Sequence, residues 1–225
     1  MSENVIDPSL APAERLRAQI LNGRGRFTVL VSTTLVWVMD LLLQQRLGSV
    51  GLLEGGIGEI PAALDSISTY VFLLTTIPLL YALLRPVPQW IVRCAAIYVA
   101  FACFQVVANV LGMVTSAHLL TGNGLGSLWD IGAMYAMSVT VFMFVYVLMD
   151  LTTPGGAFVW PARDGEPAPT PNLLDYLFIS LNVNSTYGPT SEAVMSRPTK
   201  LIMAAQVLLA ILMITVLIAR AASAL

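Results

Sequence analysis

The sequence predicts an all-α integral membrane protein with about five transmembrane helices, and two observations lead to this prediction. The 225 residues are 57% hydrophobic and only 11% charged, whereas soluble domains carry about 25% charged residues. So many apolar side chains do not fit into a single core, and the surplus has to face lipid. Five separate apolar segments are also long enough, at about 17–25 residues, to cross the hydrocarbon core of a bilayer.

The chain begins with a polar, basic segment, residues 1–26, which we expect to be cytoplasmic. It contains four arginines, Arg15, Arg17, Arg24 and Arg26. No small-residue cleavage pattern follows the first apolar run, so the segment is not typical of a signal peptide. Its residues 10–22 fit a short basic amphipathic helix at the membrane surface.

The first three apolar segments define a three-helix transmembrane region, residues 27–115. They are Phe27 to about Gln45, Ile67 to Leu84, and Trp90 to Thr115. Between the first two lies an acidic, glycine-rich connection, residues 47–66. Those glycines do not form a phosphate-binding loop, because no strand precedes them and no Lys-Ser/Thr pair follows.

The remaining two apolar segments belong to a second region, residues 131–225. The fourth runs from Ile131 to Leu151 and the fifth from Leu201 to Ala222. After the fourth, residues 152–173 hold five prolines and should be an extended loop. A short apolar stretch over residues 174–183 then leads into a small polar turn before the last helix.

A short helix, a Thr/Gly turn and a long helix in this order resemble the two-helix pore module of the potassium-channel superfamily. The family pattern is a pore helix reading like D-x-x-Y/F-F-S, then the filter T-V-G-Y-G-D, then an inner helix. Asp175, Tyr176, Phe178 and Ser180 match the pore helix, Thr186 the first filter threonine and Gly188 the first filter glycine. The resemblance covers about a fifth of the chain. It implies an outer helix over 131–151, a re-entrant pore-like helix over 174–183 with its loop, and an inner helix over 200–222.

The match to the family is incomplete at the filter itself. Selective filters need consecutive backbone carbonyls that replace the water shell of the ion, and glycines allow the left-handed angles this requires. Here Pro189 replaces the filter aromatic, Thr190 the second glycine, and Asn182 a usual pore-helix threonine. The resemblance therefore implies a potassium-selective filter that is absent or altered. The predicted ion pathway comprises Asn184, Thr186, Tyr187, Gly188, Pro189 and Thr190.

Three polar residues inside the predicted spans are candidate functional residues, Asp40, Gln105 and Asn109. Asp40 is thirteen residues into the first span, and intramembrane carboxyls often mark proton or cation sites. The alternative for Asp40 is a hydrogen bond to a neighbouring helix. Gln105 and Asn109 lie on one face of the third span, a spacing typical of residues that join helices.

These patterns leave two functional hypotheses of different classes. The first is an ion-channel-like protein, tetrameric if a channel, that passes monovalent cations with weak selectivity. The second is a non-conducting accessory subunit of a larger membrane complex. A proton-coupled transporter using Asp40 ranks below both. We predict no enzyme activity, cofactor, catalytic set or metal site. We also predict no nucleic-acid partner, because no basic run with interleaved aromatics is present. We expect a multi-pass protein of a bacterial plasma membrane.

Two rules of orientation disagree for this chain. The positive-inside rule puts the four N-terminal arginines in the cytoplasm. Alternating five spans then leaves only Arg46 and Arg220 outside, among 11 lysines and arginines. An ordinary pore loop, however, enters from the outside, and its last helix ends in the cytoplasm. Five spans do not satisfy both rules.

Overall fold

The computed structural model describes residues 12–21, 31–42, 90–119, 128–162, 167–188 and 192–223, together with six single positions in 27–77. These residues form six helices and one pair of two-residue strands. Three of the helices are long and apolar enough to cross a membrane, at Arg93–Leu111, Ile131–Thr152 and Arg197–Ala219. The all-α prediction is confirmed for this part of the chain, and the helices indicate a multi-pass membrane protein.

The elements follow one another in a simple order. They are α1 (Pro12–Leu21), α2 (Val31–Leu42), α3 (Trp90–Leu119), α4 (Leu128–Thr152), β1 (Phe158–Val159), α5 (Leu173–Asn184), β2 (Ala193–Val194) and α6 (Arg197–Ser223). The predicted third, fourth and fifth spans correspond to α3, α4 and α6. Of the predicted first span the structure describes α2, which alone is shorter than a membrane crossing. The glycine-rich connection and most of the second span lie outside the described residues.

Helices α2 and α3 run in the same direction. The Tyr98 hydroxyl of α3 donates to the Thr33 carbonyl of α2 at 3.0 Å. Two turns further along both helices, Gln105 Nε2 donates to Asp40 Oδ2 at 2.5 Å. Partners that advance together by seven residues on each helix require a parallel pair, since a residue rises about 1.5 Å along a helix.

Helices α3, α4 and α6 alternate in direction. Only the short connection 120–127 separates α3 from α4, and the two helices pack together, which makes them antiparallel neighbours. Strand β1 follows α4, strand β2 precedes α6, and the two strands pair antiparallel. Deeper in the bundle, Tyr146 of α4 contacts Gln206 of α6. Helices α4 and α6 are therefore antiparallel as well.

Helix α5 packs against both α4 and α6. It begins with a capping box, in which the Asn172 side chain accepts from the Asp175 amide and Asp175 accepts from the Asn172 amide. Near its start, Tyr176 reaches Asp150 at the end of α4. At its end, Asn184 reaches Ser138, about 18 Å earlier along α4 by helical rise.

The predicted short helix before the last span is thus present, and it runs antiparallel to α4. After it, the chain is back beside the end of α4 at β2, where Met195 N donates to the Ala157 carbonyl at 3.0 Å. No re-entrant pore is evident among the described residues of this single chain. Helix α4 is the central element, since 67% of its span is buried, against 39% for α3 and 28% for α6.

Candidate functional site

The candidate site is built on the turn that ends α5. The Tyr187 amide donates to the Asn182 carbonyl at 2.9 Å and the Thr186 amide to the Val183 carbonyl at 3.0 Å. These two bonds form a Schellman motif, whose left-handed position is usually glycine. Here that position holds Thr186, at φ 66°. A β-branched residue in this region is strained, and it falls where the sequence predicts the first filter threonine.

The next residues of the turn are open to the surroundings. Tyr187 is 83% exposed. Gly188 has φ 73°, and a Cβ added there would meet nothing within 4 Å. Pro189 and Thr190, also predicted for the ion pathway, lie outside the described residues. The described part of the turn therefore has positive φ at alternate residues, directly after a helix C-terminus, where the partial charge is negative and favours cations.

A buried polar network lies behind this turn and joins α4, α5 and α6. At its centre is Gln206 of α6, which is fully buried. Its Nε2 donates to the Ser180 carbonyl and to Ser180 Oγ, both at 3.0 Å, and to Asn184 Oδ1 at 3.4 Å. Its Oε1 accepts from the Tyr146 hydroxyl of α4. One amide side chain thus connects three helices, and its partners on α5 are the last two turns of that helix.

Helix α4 holds the end of α5 from the other side. Ser180 Oγ donates to the Val139 carbonyl at 2.7 Å, and Ser138 Oγ donates to Asn184 Oδ1 at 3.5 Å. The Tyr135 and Ser185 hydroxyls are 3.1 Å apart. These contacts fix both the depth and the rotation of α5. The structure places the Asn184 side chain in the protein interior, whereas the Thr186 and Tyr187 side chains are exposed.

The start of α5 is held by a second buried group, the Asp150 carboxylate. Asp150 accepts from the Ala157 amide at 2.6 Å and from the Phe158 amide at 3.2 Å. It also accepts from Trp160 Nε1 at 3.4 Å and from the Tyr176 hydroxyl. A carboxylate with several donors is well satisfied in the interior. This one connects the end of α4, strand β1 and the start of α5.

Aromatic rings enclose the Asp150 carboxylate. The Tyr176 ring packs edge-on against Trp160, with centroids 5.3 Å apart, and against Phe158 at 6.0 Å. Burial raises the pKa of Tyr176 far above the ordinary phenol value, and the Asp150 charge raises it further. Tyr176 therefore stays protonated and remains a donor to Asp150.

The intramembrane polar residues predicted from the sequence lie elsewhere, on α2 and α3. Asp40 is 2% exposed, Gln105 4% and Asn109 7%. The structure brings Asp40 and Gln105 into direct contact, the helix-joining arrangement that was the alternative to a proton or cation site. The two groups of predicted residues therefore belong to different interfaces, one of α2 with α3 and one of α4, α5 and α6.

The sequence reasoning missed the two residues that hold α5. Gln206 is a lone amide at the sixth residue of the fifth apolar segment, and Asp150 is a lone carboxylate at the end of the fourth. Both are intramembrane or membrane-edge polar groups, which are expensive and seldom incidental. This signal was present in the sequence and would have found them.

Within the described ranges, no group of three or more His, Cys, Asp or Glu side chains is placed to hold a metal ion. Comparisons of the chain with protein-family models, with curated proteins and with solved structures found no match.

Proposed function

We propose that this protein is an ion-channel-like membrane protein in which several copies form a weakly selective pathway for monovalent cations. In this proposal α4 is the outer helix, α5 the re-entrant pore-like helix and α6 the inner helix of each copy. The membrane is the plasma membrane of a bacterium, and a tetramer is the assembly that the resemblance to potassium channels implies.

The observation that supports this proposal best is the turn after α5. Thr186 and Gly188 both have positive φ, and they follow the C-terminus of a short helix held between two long apolar helices. Filters are rings of backbone carbonyls contributed by several chains, and strained backbone concentrates at functional sites. The negative end of the α5 dipole also favours a cation beside this turn.

An assembly of copies follows from the exposure of the turn. Backbone groups at membrane depth have to be covered by protein or line a water-filled cavity. Tyr187 is 83% exposed in a single chain, so the proposed location requires neighbouring copies or water around it. Weak selectivity follows from the sequence, because Pro189 and Thr190 stand where a selective filter has an aromatic residue and a glycine.

The alternative is a non-conducting accessory subunit, and the buried network favours it. Gln206 and Asp150 hold α5 through contacts within one chain. In that case α5 would have only a structural role in packing, and no ion pathway would run beside it. Membrane partners of another kind would then cover the exposed turn.

Cation flux distinguishes the two functions. Purified protein in liposomes would be tested for potassium and sodium flux, beside the variant Gly188→Val. A β-branched side chain at φ 73° strains the turn. The matched control is Gly155→Val, because Gly155 has φ 75°, equally open surroundings and a position in the loop after α4.

We expect flux from the native protein and from Gly155→Val, and a loss of at least tenfold in Gly188→Val. Ion substitution in the same liposomes would then measure how weakly the pathway selects. No flux from folded, reconstituted native protein would refute the channel proposal and favour the accessory subunit. Equal flux from both variants would place the ion pathway away from the turn.

A further inference from the structure

We infer that helix α5 enters the bundle from the cytoplasmic side of the membrane, opposite to the orientation of an ordinary pore loop. The orientation is derived from contacts between helices and from the positions of basic residues. Only its consequence, that a pore-like helix enters from the cytoplasmic side, depends on the proposed function.

The helix directions place four helix ends together. Helices α2 and α3 are parallel, α3 and α4 antiparallel, and α4 and α6 antiparallel. The starts of α2, α3 and α6 therefore share one end of the bundle with the end of α4. We call this the α5 end, because α5 also begins there: Tyr176 contacts Asp150, two residues before the end of α4.

The basic N-terminal helix lies at the same end by an independent contact. Helix α1 packs against α4, and the Arg15 guanidinium donates to the Ala168 carbonyl, in the segment that leads into α5. Arg15 is only 8% exposed. This contact places the N-terminal segment beside the loop between α4 and α5. The positive-inside rule by itself also places these two segments on the same side of the membrane.

The charges of the described residues decide which side of the membrane this is. Arg93 at the start of α3, and Arg197 and Lys200 at the start of α6, are all exposed at the α5 end. Among the described residues, Arg220, in the last turn of α6, is the lone lysine or arginine at the opposite end. Basic residues next to spans favour the cytoplasm. The α5 end is therefore cytoplasmic, and α6 ends outside.

This arrangement removes the disagreement between the two rules of orientation. All helices that the structure describes satisfy the positive-inside rule together, and the customary direction of a pore loop is the rule that fails. The first, third and fifth predicted spans then run outward, and the fourth runs inward and is followed by α5.

Cysteine labelling from each side of the membrane tests the orientation in the full chain. Cys94 and Cys103 would both be replaced by alanine, and single cysteines introduced by Leu174→Cys, Met195→Cys and Ala222→Cys. Leu174 is 72% exposed and Met195 65% exposed, both at the α5 end. Ala222, exposed in the last turn of α6, is the matched control at the other end.

A membrane-impermeant maleimide should label the first two variants in inverted vesicles and the third in spheroplasts, each at least tenfold more than from the opposite side. The reverse pattern would overturn the inference, and so would labelling of Leu174→Cys and Ala222→Cys from the same side. If a cysteine reacts from neither side, reporter proteins fused after Leu225 test the same orientation. Because α6 ends outside, a fused alkaline phosphatase should be active and a fused green fluorescent protein should not fluoresce. A bright fluorescent fusion would overturn the inference.

The labelling needs no ion flux, so its result is separable from the proposed function. Labelling as expected without flux would leave the orientation intact and refute the channel. Cation flux together with the reverse labelling would support the channel and overturn the orientation.

Discussion

The assembly of α4, α5 and α6 and the pair of α2 and α3 both bury polar side chains among apolar helices, but they do so differently. In the first, Gln206 and Asp150 each contact several groups on different elements. In the second, the contacts of Thr33 with Tyr98 and of Asp40 with Gln105 repeat at two-turn intervals along one interface.

The difference shows what each kind of contact achieves. Repeated pairs fix the register of two regular helices, whose backbone groups are already satisfied within each helix. A short helix and its turn leave backbone groups unsatisfied at both ends, so they need partners from several directions. Gln206 accordingly contacts the last turns of the short helix α5, and Asp150 contacts the irregular chain after α4 and the start of α5. If the two interfaces lost equal stability when their polar groups were removed, this difference between them would be refuted.

The largest effect is expected from Asp150→Ala. This change leaves four buried donors without their acceptor, and each unsatisfied group costs about 1–3 kcal/mol. We expect a loss of more than about 3 kcal/mol in the free energy of unfolding, measured as a lower Tm in detergent. Asp150→Asn, which keeps one acceptor oxygen, should lose less. Equal stability of Asp150→Ala and the native protein would show that this carboxylate does not hold α5.

The next largest effect is expected when the same substitution is made at two buried glutamines, one in each interface. Gln206→Leu removes the contacts of α6 with Tyr146, Ser180 and Asn184 and should cost about 2–3 kcal/mol. Gln105→Leu removes one contact with Asp40 across α2 and α3 and should cost about 1 kcal/mol, as single bonds between membrane helices do. Urea or thermal unfolding of both variants gives the ranking. The reverse ranking would contradict the distinction between the two interfaces.

A smaller effect, of opposite sign, is expected from Thr186→Gly. Glycine removes the strain at φ 66° and should stabilise the fold by about 0.5–1 kcal/mol. If Thr186 lies in the ion pathway, the same variant should also change cation flux, although its Tm rises. Thr186→Ser is the control, because it keeps the hydroxyl and gains less in stability. A lower Tm in Thr186→Gly would show that the threonine side chain is itself stabilising.

The smallest effect is expected from Tyr98→Phe. It removes the hydroxyl that donates to the Thr33 carbonyl, a group that also belongs to a helix backbone. The cost should be about 0.6 kcal/mol, the average for side-chain hydrogen bonds between membrane helices. Unfolding curves measured beside Gln105→Leu would test it. A cost above about 2 kcal/mol would mean that this pair holds α2 as Asp150 holds α5.

The sequence predicts the regular elements well and the contacts between them poorly. The spans that became α3, α4 and α6 were readable because a membrane crossing needs a long apolar run, which composition reveals directly. The short α5 was predicted as well, from an apolar stretch that leads into a polar turn, and in the structure a local capping box of Asn172 and Asp175 begins it. The contacts of Asn184 with Ser138 and Gln206, in contrast, were not predicted, because one helical pattern does not tell which face meets a neighbour. Its place in an ion pathway stays a prediction.

By itself, then, the sequence determined that this chain is an α-helical membrane protein, where its long helices lie and where a short helix and turn interrupt them. These properties depend on local hydrophobicity and capping. The tertiary structure decided that Gln206 and Asp150 hold α5, that α2 and α3 run in parallel, that Thr186 adopts a left-handed conformation, and that α1 lies at the α5 end. Each of these depends on partners distant in the chain, such as Arg15 and Ala168, 153 residues apart. Only packing brings such groups together, because the cost of burying a polar group is offset by whichever partner the fold supplies.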